Sequence, residues 1–287
     1  MRKTHWLFFS LFIVFMSFAL SITAAADDRG EGELINKPPA GGLTPEQIIQ
    51  KFAAREKEFE TARDDYTYRQ SVKVDTLDGD TVDGEYQEVV DVLFDDQGKR
   101  VENVVYAPQD TLQRITMTQE DYQDIRSLMP FVLTTEELPE YNITYLGQQK
   151  EDELNTYVFD INPKQVDRKK RRFQGRIWVD DHDFQIVKTF GKAVPDRYKS
   201  GNGENVFPKF TTYREQIDGQ YWFPTYTIAD DTLHFEGGKN SIGQDVRIKE
   251  IVRYTNYKRF RSSHKIIFQG QEVPPSQQKQ NPPSQPQ

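Results

Sequence analysis

From Tyr66 to Tyr257, apolar side chains recur at every second residue, in short runs cut by turn dipeptides. Successive side chains on a strand point to opposite sides, so a period of two marks strands with one buried face. Tyr66, Tyr68, Val72 and Val74 alternate with polar partners, and Asp78-Gly79 and Asp83-Gly84 are turn signals. The next strand is 86–94, with Tyr86, Val90, Val92 and Phe94 on one side. Asp95, Asp96, Gln97 and Gly98 turn it, and 101–107 returns. Further strands fall at 141–146, 156–161, 173–179, 184–190, 210–217, 221–229 and 246–257, with a short piece at 233–235. No βαβ alternation occurs, which argues against a parallel sheet. The expected fold is mainly β (α+β): one large curved antiparallel sheet of about ten or eleven strands, with helices concentrated in two places.

The first helix starts at Thr44. Thr44 suits the N-cap, Pro45 the first helical position, and Gln47 completes a capping box. Ile48, Phe52 and Phe59, with Ile49 and Ala53, form an apolar stripe; Lys51, Glu56, Lys57 and Glu60 are assigned to the solvent face. The second helical region starts at Thr118, runs through Tyr122, Ile125, Leu128 and Met129, and breaks at Pro130. Phe131, Val132 and Leu133 follow, then Thr134 to Glu137 as a further turn. So many apolar residues in so few turns must lie against an apolar surface.

The ends differ in character. Arg2 and Lys3, the apolar run from Trp6 to Ile22 and Ala24-Ala25-Ala26 form an export signal, assigned to 1–26 with cleavage after Ala26. The alternative is an uncleaved anchor. Residues 27–42 read as a flexible linker, 43–268 as the folded domain, and 269–287 as a disordered Pro/Gln-rich tail. The expected location is the periplasm, with peripheral membrane contact. The chain has no cysteine, so neither a disulfide nor a bacterial lipoprotein anchor is possible. A net charge of −8 gives no global field for nucleic acid, and none is expected as a partner.

No catalytic constellation stands out, no enzymatic activity is expected, and neither a metal nor another cofactor is assigned. The four histidines, His5, His182, His234 and His264, have no metal-ligand spacing. Asp180 to Asp183 is read as a hairpin turn rather than a calcium loop, for it lacks the EF-hand spacing and glycine. Carboxylates are plentiful, but nothing picks out a pair for glycan hydrolysis. The Asn142-Ile143-Thr144 sequon is treated as chance. The run Arg168, Lys169, Lys170, Arg171 and Arg172 is a candidate contact for an anionic membrane or an acidic partner. A solvated loop that blocks edge pairing is the alternative.

Aromatic residues are the stronger lead. In 221–229 and 173–179 both strand faces carry them, which reads either as core under helices or as an apolar cavity roofed by the 118–133 region. If each strand's richer apolar face is the concave one, the cavity liners are Val90, Val92, Phe94, Leu128, Met129, Phe131, Ile177, Val179, Trp222 and Tyr226. A slip of one residue would turn a strand's whole set outward.

The opening Leu43-Thr44-Pro45-Glu46-Gln47-Ile48-Ile49, the helical insertion and the hairpin GRIWVDDHDFQIVK at 175–188 resemble outer membrane lipoprotein-sorting-like proteins of the LolA/LolB-like superfamily. The close at 254–260, YTNYKRF, is similar to the end of many members. The resemblance implies an incomplete antiparallel barrel lidded by helices, with a cavity for acyl chains. It also implies a partner that is a lipid or an acylated lipoprotein, and a carrier or chaperone role. The alternative is a periplasmic sensor or regulator that binds a partner peptide or a lipid signal.

Overall fold

The computed structural model describes residues 32–95, 97–166, 170–195, 205–236 and 242–259, with the backbone of 267–268 and 271–272 besides. The export signal, Arg168, Lys169 and most of the Pro/Gln tail lie outside the described residues. Helix α1 (Pro45–Arg63) leads into a meander of β1 (Tyr66–Asp78), β2 (Thr81–Phe94) and β3 (Arg100–Tyr106). A long connection holds the short helix α2 (Gln119–Gln123) and a π-helical turn, Asp124–Leu128. Strands β4 (Tyr141–Glu151), β5 (Leu154–Pro163), β6 (Arg172–Asp180), β7 (Ile186–Val194), β8 (Phe210–Gln216), β9 (Trp222–Phe235) and β10 (Gln244–Arg259) follow. Beyond them, Ile267–Phe268 pairs with Gln271–Glu272.

All ten main strands form one sheet in the order β3-β2-β1-β10-β9-β8-β7-β6-β5-β4, every neighbouring pair antiparallel. The sheet does not close: β3 and β4 are its two edges. These edges are consecutive in the chain. The segment joining them, 107–140, must therefore span the width of the sheet, and its apolar residues carry it over the concave side as a roof. At its start it crosses β2 at Gly84, where a Cβ would meet the Thr111 carbonyl oxygen at 2.4 Å, so no larger residue fits under the crossing. Gln113 N–H then donates to Thr76 Oγ1, and Arg114 pairs with Asp83 at 2.6 Å.

Both helix starts are built as the sequence predicts. Thr44 and Gln47 cap α1 reciprocally, and Thr118 and Asp121 do the same for α2. Helix α1 buries Ile48, Phe52, Ala53 and Phe59 against the sheet. It also buries Glu56, which the sequence places on the solvent face. Glu56 lies in register with Phe52 and Phe59 because a partner, Arg214 of β8, waits on the sheet below it.

Three more expectations change. Residues 32–38 are not a free linker: Ile35 pairs with Gln148 of β4, Gly32 N–H donates to the Lys150 carbonyl, and Gln148 and Tyr145 donate to the carbonyls of Pro38 and Lys37. They cover one edge of the sheet. Strand β7 begins at Ile186, because Phe184 takes a left-handed turn conformation (φ 57°). The 233–235 piece is the end of β9, not a separate strand.

Candidate functional site

The middle of the hollow is packed solid. Phe131 of the roof stacks on Phe173 of β6, centroids 4.4 Å apart and planes 21° apart, and meets Tyr141 edge-on. Phe173 lies over Gly175 and Gly191, which face each other across β6 and β7; a Cβ on either would clash with the ring and the opposing backbone. Leu133, Phe159, Ile161 and Ile177, all fully buried, complete this plug with Ile48 and Phe52 of α1.

Polar bonds fasten the roof over it. Arg214 reaches Glu56 at 3.0 and 3.1 Å and donates to the Phe131 carbonyl. Thr212 Oγ1 donates to the Met129 carbonyl at 2.7 Å. Burial pushes the Glu56 carboxyl up, while Arg214 and the Ile186 amide pull it back. An arginine that joins α1, β8 and the roof leaves a buried charge if any of the three is lost.

The basic run serves the same roof. Arg171 forms a bidentate pair with Asp124 of the π-helical turn and stacks on Phe207, 3.6 Å from its guanidinium carbon to the ring centroid. Arg172 and Lys170 both pair with Glu140, at 3.0 and 2.9 Å. The Arg171 and Arg172 side chains are largely buried, so this part of the run is committed inside the molecule.

Space remains on both sides of the plug. Along the inner row of β10, Val246, Ile248, Glu250, Val252 and Tyr254 are all buried. Fully buried Val252 separates two pockets. One, of about 260 Å³, lies under residues 114–121 and is lined by Val74, Met117, Met129, Phe210, Leu233, Ile248 and Glu250. The other, of about 420 Å³, lies beyond Pro130 among Tyr68, Phe94, Arg100, Arg126, Tyr254 and Tyr257. Arg100 and Arg126 both pair with Glu102.

The first pocket is largely apolar, with Arg114, Thr116, Thr118, Asp121 and Asp124 on its roof side and Glu250 on its floor. Glu250 sits opposite Val74 of β1 and Ala229 of β9. Its Oε1 has no hydrogen-bond partner. Burial, reinforced by Asp121 and Asp124, pushes its carboxyl up to about 8. Asp124 is likewise raised by burial, to about 6, against the pull of Arg171. Asp121 accepts from Thr118 N–H and Oγ1, both at 2.7 Å.

The ten residues named from the sequence divide by position. Val90, Val92, Met129, Phe131, Ile177 and Val179 are buried in the main core, with Phe94 and Leu128 packed against it. Only Met129 reaches the first pocket and only Phe94 the second. Trp222 and Tyr226 are on the other side of the sheet. Trp222 packs with Val158, Trp178 and Val187 and donates from Nε1 to Asp183, while Tyr226 faces Tyr213. Their partner face holds the concave residue, Phe223, against Phe59 and Tyr66. The two-sided aromatic pattern therefore reports a second, outer apolar layer, covered in part by Leu34 of the docked N-terminal segment. Sequence reasoning missed Glu250, although the signal was present: an acid in the row Val246, Ile248, Glu250, Val252, Tyr254.

The Asp180–Asp183 cluster is a turn, in which the Asp180 carboxylate accepts from the amides of His182 and Asp183. Among the described residues, no three His, Cys, Asp or Glu side chains are grouped to hold a metal. No helix of the described residues is long and apolar enough to cross a membrane.

No protein-family model and no curated protein sequence matches the chain. Among solved structures, it is similar to a LolA superfamily protein from Nitrosomonas europaea, at 16% identity over 79% of this chain and 98% of that one, TM-score 0.34. A DUF1329 family protein from Desulfovibrio piger is similar at 14% identity over 78% and 96%, TM-score 0.41. A third is a putative outer membrane lipoprotein-sorting protein domain from Vibrio parahaemolyticus, at 11% identity over 73% and 93%, TM-score 0.33.

Proposed function

We propose that this is an exported, non-enzymatic carrier or chaperone that holds an apolar tail, of a lipid or an acylated protein, in the pocket between the roof and β10. The observation that carries the reading is the 260 Å³ pocket itself, walled mainly by aliphatic and aromatic side chains beside a tightly packed plug. An apolar chain entering it leaves water and gains about 0.8 kcal/mol per buried methylene. The volume is near the lower end, about 300 Å³, of small-molecule sites, so a longer chain requires the roof segment 114–121 to shift. The basic start and apolar run of residues 2–22 supply the route out of the cytoplasm.

Native mass spectrometry of the full chain recovered from an envelope fraction tests this. Co-purified lipid that disappears in Ile248→Trp, a substitution that fills the pocket, is the expected result. A chain that stays empty when offered phospholipid or an acylated peptide refutes it.

A second reading, a sensor or regulator that binds a partner's extended segment, draws on β3. It is a sheet edge with Val104, Val105 and Tyr106 about half exposed or more. A partner captured through this edge should be lost in Val104→Lys, which places a charge where a strand would add.

A further inference from the structure

The proposed function leaves the pocket floor unexplained. A fully aliphatic floor would hold an acyl chain best, and β10 is otherwise aliphatic or aromatic along its inner row. Instead Glu250 stands between Ile248 and Val252, buried, with Oε1 unpartnered and the side chain lining the pocket. A buried polar group without a partner costs stability, so its place on the floor calls for a compensating role.

The acidic groups facing it come from two elements. Asp121 of α2 and Asp124 of the π-helical turn both line the pocket and both act on Glu250 in the same sense. The nearby cations are engaged elsewhere. Arg171 is taken by Asp124, and Arg114 by Asp83 and the Leu77 carbonyl. The site therefore presents largely apolar walls, Glu250 on the floor and Asp121 and Asp124 on the roof, and the guanidinium in its lining, Arg114, is already paired. Three carboxyl groups against one guanidinium that is already paired disfavour a carboxylate or phosphate head.

We propose that the pocket takes a cationic amphiphile, a protonated amine at the end of an apolar chain, with the amine hydrogen-bonded to Glu250 beside Asp121 and Asp124. This rests on the reading above that the pocket admits an apolar chain, and it names the head group. The exchange balances as follows: the ammonium enters with its three protons, Glu250 releases its carboxyl proton to solvent, and an ammonium–carboxylate pair replaces the neutral acid.

The test is isothermal titration of the full chain with three probes of equal tail, dodecylamine, dodecanol and dodecanoate, each below its micellar concentration. Dodecylammonium should bind about tenfold tighter than dodecanol or better, as a charge-assisted hydrogen bond allows, and dodecanoate should bind weakest. Below pH 7, repeating the titration in buffers of different ionisation enthalpy should report about one proton released per amine bound, and none for dodecanol. In Glu250→Gln the preference for the amine over dodecanol and the proton release should both vanish. Gln keeps the side-chain shape and removes an ionisable group, and the proton count in the unaltered protein is independent of that variant. Equal binding of the three probes, or an amine preference that survives Glu250→Gln, overturns the head-group inference and leaves the carrier reading standing. Failure of all three probes to bind overturns both.

Discussion

The two halves of the concave side are built on opposite terms. Under β5 to β8 the inward side chains pack tightly: Phe131 stacks on Phe173, Leu133 and Ile177 are fully buried, and Arg214 ties roof, helix and sheet together. Under β1, β9 and β10 the same roof stands off from the sheet, and the gap is floored by a carboxyl group that nothing neutralises. One half is made to stay shut and the other has room to accept something. The difference lies in where polar groups are satisfied. In the filled half the buried acid, Glu56, has its arginine; in the open half Glu250 has none.

That contrast can be broken by experiment. Arg214→Ala should have the largest effect, a loss of about 3–5 kcal/mol, because it strands the buried Glu56 and frees the Phe131 carbonyl. Chemical denaturation would measure it, and a cost under about 1 kcal/mol would mean that the roof is held by packing alone. Leu133→Ala should cost about 2–5 kcal/mol in the tight half. Ile248→Ala, facing the existing pocket, should fall at or below the low end of that range, and equal costs would erase the distinction between the halves.

Glu250→Gln should act with the opposite sign. Its raised carboxyl keeps a proton in the folded state that the unfolded chain has lost between about pH 4.5 and 8, so folded stability declines as pH rises through that window. Asp124 contributes the same slope between about pH 4 and 6. The protein should thus be more stable at pH 5 than at pH 8. Glu250→Gln should recover about 2–4 kcal/mol at pH 8 and little at pH 4, read as the pH dependence of Tm. A pH profile unchanged by the substitution would show that the floor is already compensated. The smallest effect belongs to Thr118→Ala, which removes the α2 cap at the pocket's rim for about 1 kcal/mol. Any change it makes in ligand affinity would locate the movable part of the roof.

Much of this architecture is legible in the residues. The alternation at Tyr66 to Val74 and at Val246 to Tyr254 marks inner and outer faces correctly, and Thr44 and Thr118 mark both helix starts, because these signals are local. The site is less legible. Trp222 and Tyr226 are apolar enough for a cavity wall, yet they belong to an outer layer whose other members, Trp178, Val158 and Leu34, come from distant segments. Glu56 looks solvent-facing on a helical wheel until Arg214, far along the chain, is seen beneath it.

The sequence by itself determined the strands, their hairpin connections and the helix caps, since each depends on neighbours a few residues away. Only the tertiary structure decided that β1 pairs with β10, which puts β3 and β4 at opposite edges and drives the segment between them across the hollow. From that one pairing come the roof, the plug and the pocket. Their contacts join residues far apart in the chain, and no local propensity encodes which distant side chain will fill a given space.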